Sequence, residues 1–294
     1  MWSEKFRNEV EQILKASEGN DFKIKYFESV RGGDISDAFC IVGTTSNYFI
    51  KVNDAQRYPA MFEKEAIGLH LLQSSNAIKT PQVIAFGESD GRAFLILEWI
   101  VIETFTSAAM YDLGQRLAKM HLSRHENFGF YTSNYMGSFY QDNQPNNDWL
   151  SFFYDRRIKP QVDLALARGG LLEIDDIKNI DNTLHFLSSI YEPERPSMVH
   201  GDLWNGNIIT NKLQEPVLID PAAYYAHREI DIAMTRLFGG FSDHFYAAYQ
   251  ETFPLKRGWE ERCDIWNIYP LLIHLNLFGK SYQHQIRNVF RRYL

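Results

Sequence analysis

The segment at residues 198–209, MVHGDLWNGNII, places a histidine, an aspartate and two asparagines between apolar pairs. Its flanks are typical of short buried strands, whereas its polar centre is typical of a loop. A second segment, PVLIDPAAYY at residues 216–225, also ends an apolar run with an acidic residue. Two apolar runs that each lead into polar side chains predict one functional region anchored in the core.

The first segment contains His200, Asp202 and Asn207 at the spacing H-x-D-x-x-x-x-N, which is that of a kinase catalytic loop. In such a loop the aspartate orients or accepts the proton of the attacking hydroxyl, and the asparagine supplies an oxygen ligand to Mg²⁺. Both groups must lie together, because the nucleophile is aligned while the metal bridges phosphate oxygens. The spacing therefore predicts Asp202 as the catalytic base and Asn207 as a metal ligand.

Asp220 ends the second segment, and the residues before it, NIITNKLQEPVLI, have the pattern of strand, turn and strand. Kinases carry a metal-binding aspartate after such a hairpin, so the pattern predicts Asp220 as a second metal ligand. The alternative is that Asp202 caps a turn and Asp220 only ends a strand, since aspartate is favoured in turns. The two motifs in combination favour the kinase interpretation.

Kinases also pair a strand lysine with a glutamate of the next helix to hold the α and β phosphates. Lys51 lies in YFIKVN, the third of three strand-like runs, and Glu63 and Glu65 both lie in the helical pattern MFEKEAIGLHLL. Glu65 is favoured because it lies on a similar helical face to Leu69 and Leu72, and Glu63 remains the alternative. The competing interpretation makes Lys51 a surface lysine of an edge strand.

Two further stretches predict nucleotide contacts. In VRGGDIS, Gly32 and Gly33 would let backbone N–H groups approach phosphates, although a plain hairpin turn explains them almost as well. In LILEWI, backbone groups around Glu98 and Ile100 would meet adenine at a hinge; the alternative is a buried fifth strand. The chain has neither G-x-x-x-x-G-K-[ST] nor G-x-G-x-x-G, which argues against a P-loop or a Rossmann enzyme.

Composition sets the class of protein. The 294 residues, 45% of them hydrophobic, can bury a large core and form two lobes. The 30 basic and 37 acidic residues give a net charge of -7, which argues against nucleic acid or an anionic membrane as a general partner. Cys40 and Cys263 lack the spacing of a zinc site or a disulfide framework. Without a signal peptide or transmembrane run, we expect a cytoplasmic protein.

The order of patterns predicts an α+β, bilobal protein-kinase-like fold. An amphipathic helix, three strands, a helix and two more strands form a β-rich N-lobe at residues 1–102, predicted to be a five-stranded antiparallel sheet plus helix. Residues 103–294 form a mostly helical C-lobe, interrupted by short β segments around the two motifs. The stretch at residues 131–147, YTSNYMGSFYQDNQPNN, is the longest loop-like segment.

Several motifs together resemble the fructosamine kinase (ketosamine kinase) family, a relative of aminoglycoside phosphotransferases and choline kinases. The resemblance covers nearly the whole chain and rests on RGGDIS, FIKVN, MFEKEA, DWLSFFYDRRIKPQ, HGDLWNGN, IDPAAYYAHREIDIAM, FGGFSDHFYAAYQ and HLNLFGKSY. It implies ATP- and Mg²⁺-dependent phosphorylation of a sugar hydroxyl in a ketosamine such as a fructosamine or ribulosamine, with a role in deglycation. The residues matching the family's motif are then Asp202 as base, Asn207 and Asp220 as metal ligands, and Lys51 with Glu65 as the phosphate anchor.

The remaining candidates are supporting and substrate-binding residues. His200 and Asp231 are expected to support the catalytic loop. A pocket for the sugar and the amine would draw on aromatic or acidic groups of the C-lobe, for which the candidates are Trp204, Tyr224, Trp266 and Asp264. Aromatic residues in this region are equally expected in the core.

Two other functions compete with the ketosamine kinase. One is a phosphotransferase of the same fold that acts on an aminoglycoside or on choline. The other, of a different class, is a nucleotide-binding pseudokinase that serves as a scaffold. The intact set of Lys51, Asp202, Asn207 and Asp220 counts against the scaffold, which has no chemical need for all four.

Overall fold

A computed structural model describes residues 2–30 and 35–293. The predicted phosphate loop at Gly32 and Gly33 therefore lies outside the described residues. Within the described ranges, the helices are each too short or too polar to cross a membrane. Cys40 and Cys263 are buried free thiols.

The first hundred residues form an antiparallel sheet with the strand order β1-β2-β3-β5-β4. Its strands are β1 (Ile24–Ser29), β2 (Asp37–Gly43), β3 (Asn47–Asp54), β4 (Val83–Ser89) and β5 (Arg92–Glu98). The predicted order of three strands, a helix and two strands is confirmed. Since β3 pairs with both β2 and β5, Lys51 lies on an interior strand and not on a sheet edge.

Helices cover both faces of this sheet. The first, α1 (Glu4–Glu18), packs one apolar stripe against the sheet, and α2 (Met61–Ser74) covers the opposite face. Successive side chains of a strand point to opposite faces. Ile50 therefore packs under α1, whereas Lys51 points towards α2 and reaches Glu65.

The rest of the chain is mostly helical, as predicted. Its helices are α3 (Ser107–His121), α4 (Trp149–Phe153), α5 (Lys159–Ala167), α6 (Ile174–Ile190), α7 (Glu229–Leu237), α8 (Asp243–Thr252), α9 (Trp259–Trp266), α10 (Ile268–Phe278) and α11 (Gln283–Tyr293), with a π-helical turn at Tyr154–Ile158. Three short antiparallel pairs interrupt them: β6 (Asn134–Met136) with β7 (Phe139–Gln141), β9 (Ile208–Thr210) with β10 (Pro216–Leu218), and β8 (Ser197–Val199) with β11 (Tyr224–Ala226).

The expectation of one long loop at residues 131–147 is wrong over its middle, where β6 and β7 form a hairpin. Asn134 pairs with Gln141 across this hairpin, and both side chains are buried. Asparagine is depleted in strands, so the pattern hides the hairpin. What stabilises it is tertiary: Asn134 donates to the carbonyl of Ala223 at 3.0 Å, and Tyr269 donates to Gln141 at 2.8 Å.

Helix α2 packs directly on the chain that follows Asp220. A β-carbon built on Gly68 would lie 3.4 Å from Cγ of Pro221 and 3.7 Å from Cβ of Ala223. A side chain much larger than a methyl group at position 68 would push the two segments apart. The small residue thus allows the helix of Glu65 to approach the segment of Asp220.

Buried ion pairs fix the start of α7. The carboxylate of Glu229, which is fully buried, accepts hydrogen bonds from Arg262 at 2.6 and 2.9 Å and from the indole of Trp266 at 3.0 Å. Arg228 forms a second bidentate pair with Glu194 at 2.7 and 2.9 Å. Both pairs are desolvated, so the loss of either partner leaves an uncompensated charge in the core.

We expect Glu229→Leu to lower the free energy of unfolding by about 3–5 kcal/mol, because it strands the guanidinium of Arg262. The double variant Glu229→Leu/Arg262→Met should recover part of this loss, since both charges are then gone. Urea unfolding followed by circular dichroism measures both. Equal instability of the single and double variants would contradict the argument from charge.

Candidate active site

The carboxylate of Asp231, in the first turn of α7, holds the start of the predicted catalytic loop. It accepts the backbone N–H of His200 at 2.7 Å and that of Gly201 at 2.9 Å. Its Oδ2, which accepts from His200, also contacts Nε2 of His121 at 3.1 Å, and Nδ1 of His121 lies 2.7 Å from the hydroxyl of Tyr249. Since a carboxylate only accepts, Nε2 of His121 carries the proton and Nδ1 accepts from the tyrosine.

His200 links the two predicted motifs. Its Nδ1 accepts the N–H of Asp202 at 3.2 Å, so its Nε2 carries the proton that is donated to the carbonyl of Ile219 at 2.9 Å. Burial lowers the pKa of His200, against the favourable charge of Asp231, and keeps the ring neutral. Both ring nitrogens of His200 are thus engaged in hydrogen bonds that connect the two loops, so neither is available to act as an acid or a base.

Asp202 and Asn207 lie against each other on this loop. The amide nitrogen of Asn207 donates to the backbone carbonyl of Asp202 at 2.8 Å and to its Oδ2 at 3.1 Å. Burial, joined by repulsion from Asp220, raises the pKa of Asp202 to about 7, against the hydrogen bond from Asn207. A divalent cation beside Asp220 would offset that repulsion.

Lys51 joins the two halves of the site. Its ammonium lies 2.8 Å from Oε1 of Glu65 and 2.8 Å from Oδ1 of Asp220, so the glutamate beside it is Glu65, and Glu63 is exposed. Burial favours the neutral amine, but the charges of Asp220 and Glu65 outweigh it and raise the pKa of Lys51. The lysine is thus a permanent cation held between carboxylates of two different elements.

The donor set beside Lys51 fits Mg²⁺. Leu218 pairs with Ile208, and the N–H of Ile219 donates to the carbonyl of Asn207 at 3.1 Å, so Asn207 and Asp220 lie side by side at one end of a hairpin. Within the described part of the chain, Oδ1 of Asn207 accepts no hydrogen bond and remains available to a ligand. Two hard oxygen ligands suit Mg²⁺, which usually completes its octahedron with phosphates and water.

The predicted hinge begins at Glu98, the last residue of β5. Glu98 pairs with Tyr48 at the end of the sheet, and its side chain accepts the N–H of Gln82 at 3.0 Å. Ile100 is half-buried, and the next residues, Val101 and Ile102, are 42% and 63% exposed. Apolar side chains exposed beside a strand end are available to the face of a planar ligand.

A set of rings extends from the catalytic loop along α10, and we name it the aromatic wall. Neighbouring centroids lie 5.0–6.2 Å apart, and the members at the loop are among the exposed rings of the molecule. Its residues are Trp204, Phe238, His274, Phe278 and Tyr282.

Glycines make room for the first ring of the wall and its support. A β-carbon on Gly206 would lie 2.2 Å from the indole of Trp204, so a side chain at this position would displace the indole. Gly240, at φ 90°, would clash with Asn205 in the same way. The turn after Phe238 therefore packs closely on the loop that carries Trp204, and the two rings contact each other edge to face.

The other predicted pocket residues lie elsewhere. Tyr224 and Trp266 are each 1% exposed, the former stacked on Phe152 and the latter bonded to Glu229. Asp264 forms an ion pair with Arg292 of α11 and accepts from Tyr293. Burial leaves neither ring a free face, and the carboxylate of Asp264 is already bound by Arg292 and Tyr293. None of the three residues therefore belongs to the proposed substrate pocket.

Sequence reasoning missed Phe238 and the pair of His121 and Tyr249. The signal for Phe238 was the dipeptide Gly239–Gly240 after a helix, because two positive φ angles force a turn against the loop. The signal for His121 was a histidine on the apolar face of an amphipathic helix. Neither signal names its partner, which lies far away in the sequence.

A five-stranded sheet packed on a helical half, with a lysine, two aspartates and an asparagine at the junction, defines a phosphotransferase of protein-kinase-like fold. A family profile for fructosamine kinase matches residues 6–294. The chain therefore belongs to the fructosamine kinase family.

Individual relatives agree with this assignment. The chain is 41% identical over 269 residues to a protein of Vibrio parahaemolyticus described as a probable ketoamine kinase, covering 90% of this chain and 91% of the relative. It is 35% identical to a chloroplastic protein-ribulosamine 3-kinase of rice, Oryza sativa subsp. japonica, covering 95% of this chain and 81% of that protein.

Solved structures extend the comparison to the fold. A structure from Haemophilus somnus assigned as a fructosamine-3-kinase has a TM-score of 0.88 at 30% identity, covering 97% of this chain and 96% of that one. An aminoglycoside phosphotransferase has a TM-score of 0.67 at 15% identity, covering 98% and 99% of the two chains. The second likeness concerns the fold alone.

The buried imidazole of His121 predicts sensitivity to acid. Burial lowers its pKa from about 6.5, against the attraction of Asp231. Below that pH the unfolded chain takes up a proton that the folded protein excludes, so stability present above pH 6.5 is lost as the pH falls. In His121→Gln the amide can make both hydrogen bonds without titrating, and we expect its stability to fall less steeply between pH 6.5 and 5, by up to about 1.4 kcal/mol per pH unit.

Urea unfolding at a series of pH values measures these slopes. His244→Gln, a change at an exposed position of α8, serves as the control and should keep the wild-type slope. A His121→Gln slope equal to that of wild type would show that His121 does not govern acid stability.

Proposed function

We propose that this protein is an ATP- and Mg²⁺-dependent kinase that phosphorylates a sugar hydroxyl of a ketosamine. The observation that carries the proposal is the convergence of Asp202, Asn207 and Asp220 with the buried Lys51 at the junction of sheet and helices. These are the parts that phosphoryl transfer requires: a proton acceptor, two metal ligands and a phosphate anchor. Membership of the fructosamine kinase family and the names of the relatives supply the substrate class.

Each residue has a separate task in this mechanism. Lys51 holds the α and β phosphates, and Glu65 keeps its ammonium in place. Asn207 and Asp220 hold the cation through oxygen atoms. Mg·ATP, when bound, supplies an electrophilic γ-phosphorus, and the cation neutralises the negative charge on the phosphate oxygens. Asp202 would orient the acceptor hydroxyl and take up its proton as the new oxygen–phosphorus bond forms and the bond from the γ-phosphorus to the bridging oxygen breaks, with ADP as the leaving group.

We further propose that residues 1–102 form the N-lobe and residues 103–294 the C-lobe, with Glu98 and Ile100 at the nucleotide hinge. The isolated bridge between Glu103 and Thr210 supports the boundary, because it ties the first residues after the hinge to the hairpin of the metal ligands. Gly32 and Gly33 keep their proposed role as a phosphate loop. A cytoplasmic location also remains a prediction.

The aromatic wall supports a ketosamine as acceptor. A ketosamine carries a hydroxyl to be phosphorylated and, on the same short molecule, a secondary amine that is protonated near neutral pH. Trp204 is 38% exposed and lies two residues after Asp202 on the same loop. We propose that its indole meets the amine when the hydroxyl lies at Asp202. A cation over an aromatic face gains about 0.5–2 kcal/mol. The wall would therefore recognise the amine while the loop presents the hydroxyl.

The rival acceptors fit this surface less well. An aminoglycoside carries several ammonium groups and needs a cluster of carboxylates. At the C-terminal end, Asp264 is occupied by Arg292, and α11 carries three arginines. A pseudokinase scaffold is disfavoured for another reason: Oδ1 of Asn207, which accepts no hydrogen bond from residues 2–30 and 35–293, has a use in metal binding and none in a scaffold.

A substitution of Asp202 tests its role as the base. Asp202→Asn should lower kcat by about 10²–10⁴, because a positioned base is lost while the side chain keeps its shape. The affinity for Mg·ATP should stay within about twofold, since Asn207 and Asp220 are intact. A coupled assay with a ribulosamine acceptor gives kcat, and calorimetry gives the affinity.

Asp181→Asn, the same change at an exposed position of α6, controls for the lost charge and should match wild type. Near-wild-type turnover by Asp202→Asn would overturn the role of Asp202 as base.

A comparison of acceptors tests the substrate class. A ribulose- or fructose-modified lysine should be phosphorylated with kcat/KM at least about tenfold above that of kanamycin or choline, a preference worth about 1.4 kcal/mol in the transition state. Consumption of ATP without acceptor is subtracted as background. Equal or better turnover of kanamycin would overturn the ketosamine assignment and leave the kinase assignment standing.

A further inference from the structure

The β6–β7 hairpin is anchored in the helical half by buried polar groups. Asn134 donates to the carbonyl of Ala223 at 3.0 Å and accepts from Gln141 at 2.7 Å, and Gln141 accepts from Tyr269 at 2.8 Å. Asn134 and Gln141 are 5% and 2% exposed. Breaking buried bonds of this kind costs about 1–3 kcal/mol each, so this end of the hairpin is fixed.

The same hairpin also contacts the sheet half. Nζ of Lys64, on α2, donates to the carbonyl of Ser133 at 2.8 Å, and the hydroxyl of Tyr135 donates to the carbonyl of Pro59 at 3.1 Å. These contacts flank Asn134 on either side. A displacement of α2 relative to the helical half must therefore break them.

The contacts meet residues next to the proposed nucleotide site. Lys64 directly precedes Glu65, and Ala223 lies three residues after Asp220. Glu65 and Asp220 are the two carboxylates that hold Lys51, at 2.8 Å each, and they belong to different halves of the molecule. The hairpin is thus a further link between α2 and the segment of Asp220, in addition to the ion pairs of Lys51 and the packing of Gly68 on that segment.

We propose that Lys64 is a positioning residue for nucleotide binding, acting through the β6–β7 hairpin to hold α2 against the segment of Asp220. The inference rests on the proposed use of ATP. The acceptor of the lysine is a backbone carbonyl fixed by the buried side chain that follows it. The bond therefore needs only one flexible side chain to be ordered, unlike a surface salt bridge, whose net contribution is usually small.

The test compares Lys64→Met with wild type. The substitution keeps the aliphatic stem and removes the donor. In the protein without nucleotide, amide hydrogen exchange should accelerate about threefold or more in residues 61–74, while residues 229–237 of α7 keep their wild-type rates. The dissociation constant for ATP in the presence of Mg²⁺, measured by calorimetry, should rise about threefold to tenfold, because α2 must be ordered before the site is complete.

Three further variants sharpen the result. Lys64→Arg keeps a cationic donor and should restore both readouts to within about twofold of wild type. Tyr135→Phe removes the hydrogen bond to the carbonyl of Pro59, keeps the ring, and should act in the same direction. Lys5→Met, the same substitution at an exposed position of α1, is the matched control and should leave both readouts unchanged.

Each outcome decides the proposal. Faster exchange confined to α2 together with weaker nucleotide binding supports it. Unchanged exchange, faster exchange throughout the chain, or faster exchange of α2 with unchanged affinity for ATP would overturn it. Neither readout needs an acceptor, so failure to phosphorylate a ketosamine would count against the proposed function and not against the role of Lys64.

Discussion

The active-site region depends on one carboxylate, that of Asp231, which holds two successive backbone N–H groups of the loop before Asp202. Buried N–H groups without a partner cost about 1–3 kcal/mol each, so the loop has one favourable path past this side chain. That path turns at Gly201, where φ is 83° and a β-carbon would lie 2.3 Å from the carbonyl of Ala222. Because Asp231 binds the backbone of the loop from one side, the side chains of Asp202 and Asn207 are left available on the other side.

The second motif is held to the first through the backbone of Ile219. Its carbonyl accepts from His200 and its N–H donates to Asn207, which leaves Asp220 in the left-handed region at φ 54°. That conformation costs a residue other than glycine roughly 1–2 kcal/mol. The contacts on either side offset the cost. This left-handed backbone conformation directs the carboxylate of Asp220 towards Lys51 and towards Oδ1 of Asn207.

The order of strands and helices was predictable because each depends on local periodicity. Lys51, Asp202, Asn207 and Asp220 could also be located from local signals, because each belongs to a motif with fixed spacing or to a strand pattern. The support of the catalytic loop by Asp231 was also expected, but its contact with His121 was not predictable, because His121 lies in α3, 110 residues earlier in the chain.

The burial of Tyr224 and Trp266 was not predictable from the sequence, for a complementary reason. Helical periodicity shows that Trp266 lies on an apolar face, yet it does not tell whether another helix covers that face. In the fold, Trp266 meets Glu229 and is 1% exposed. Phe238 reaches Trp204 only because the glycines after α7 turn the chain back. Whether an aromatic ring is buried or exposed is thus decided by tertiary packing. The periodicity of a single sequence does not show which helix faces are covered.

The short path from Asp220 to α7 bears on how the site is assembled. Residues 221–228 include β11, which pairs with β8 directly before the catalytic loop, and both Arg228 and Glu229 enter buried ion pairs. A segment fixed at both ends and paired in its middle cannot move out of the cleft without breaking the core, unlike a long loop that is ordered by phosphorylation. Helix α2 packs on the start of this segment through Gly68. The lysine–glutamate pair is therefore already formed in this fold, without any movement of α2.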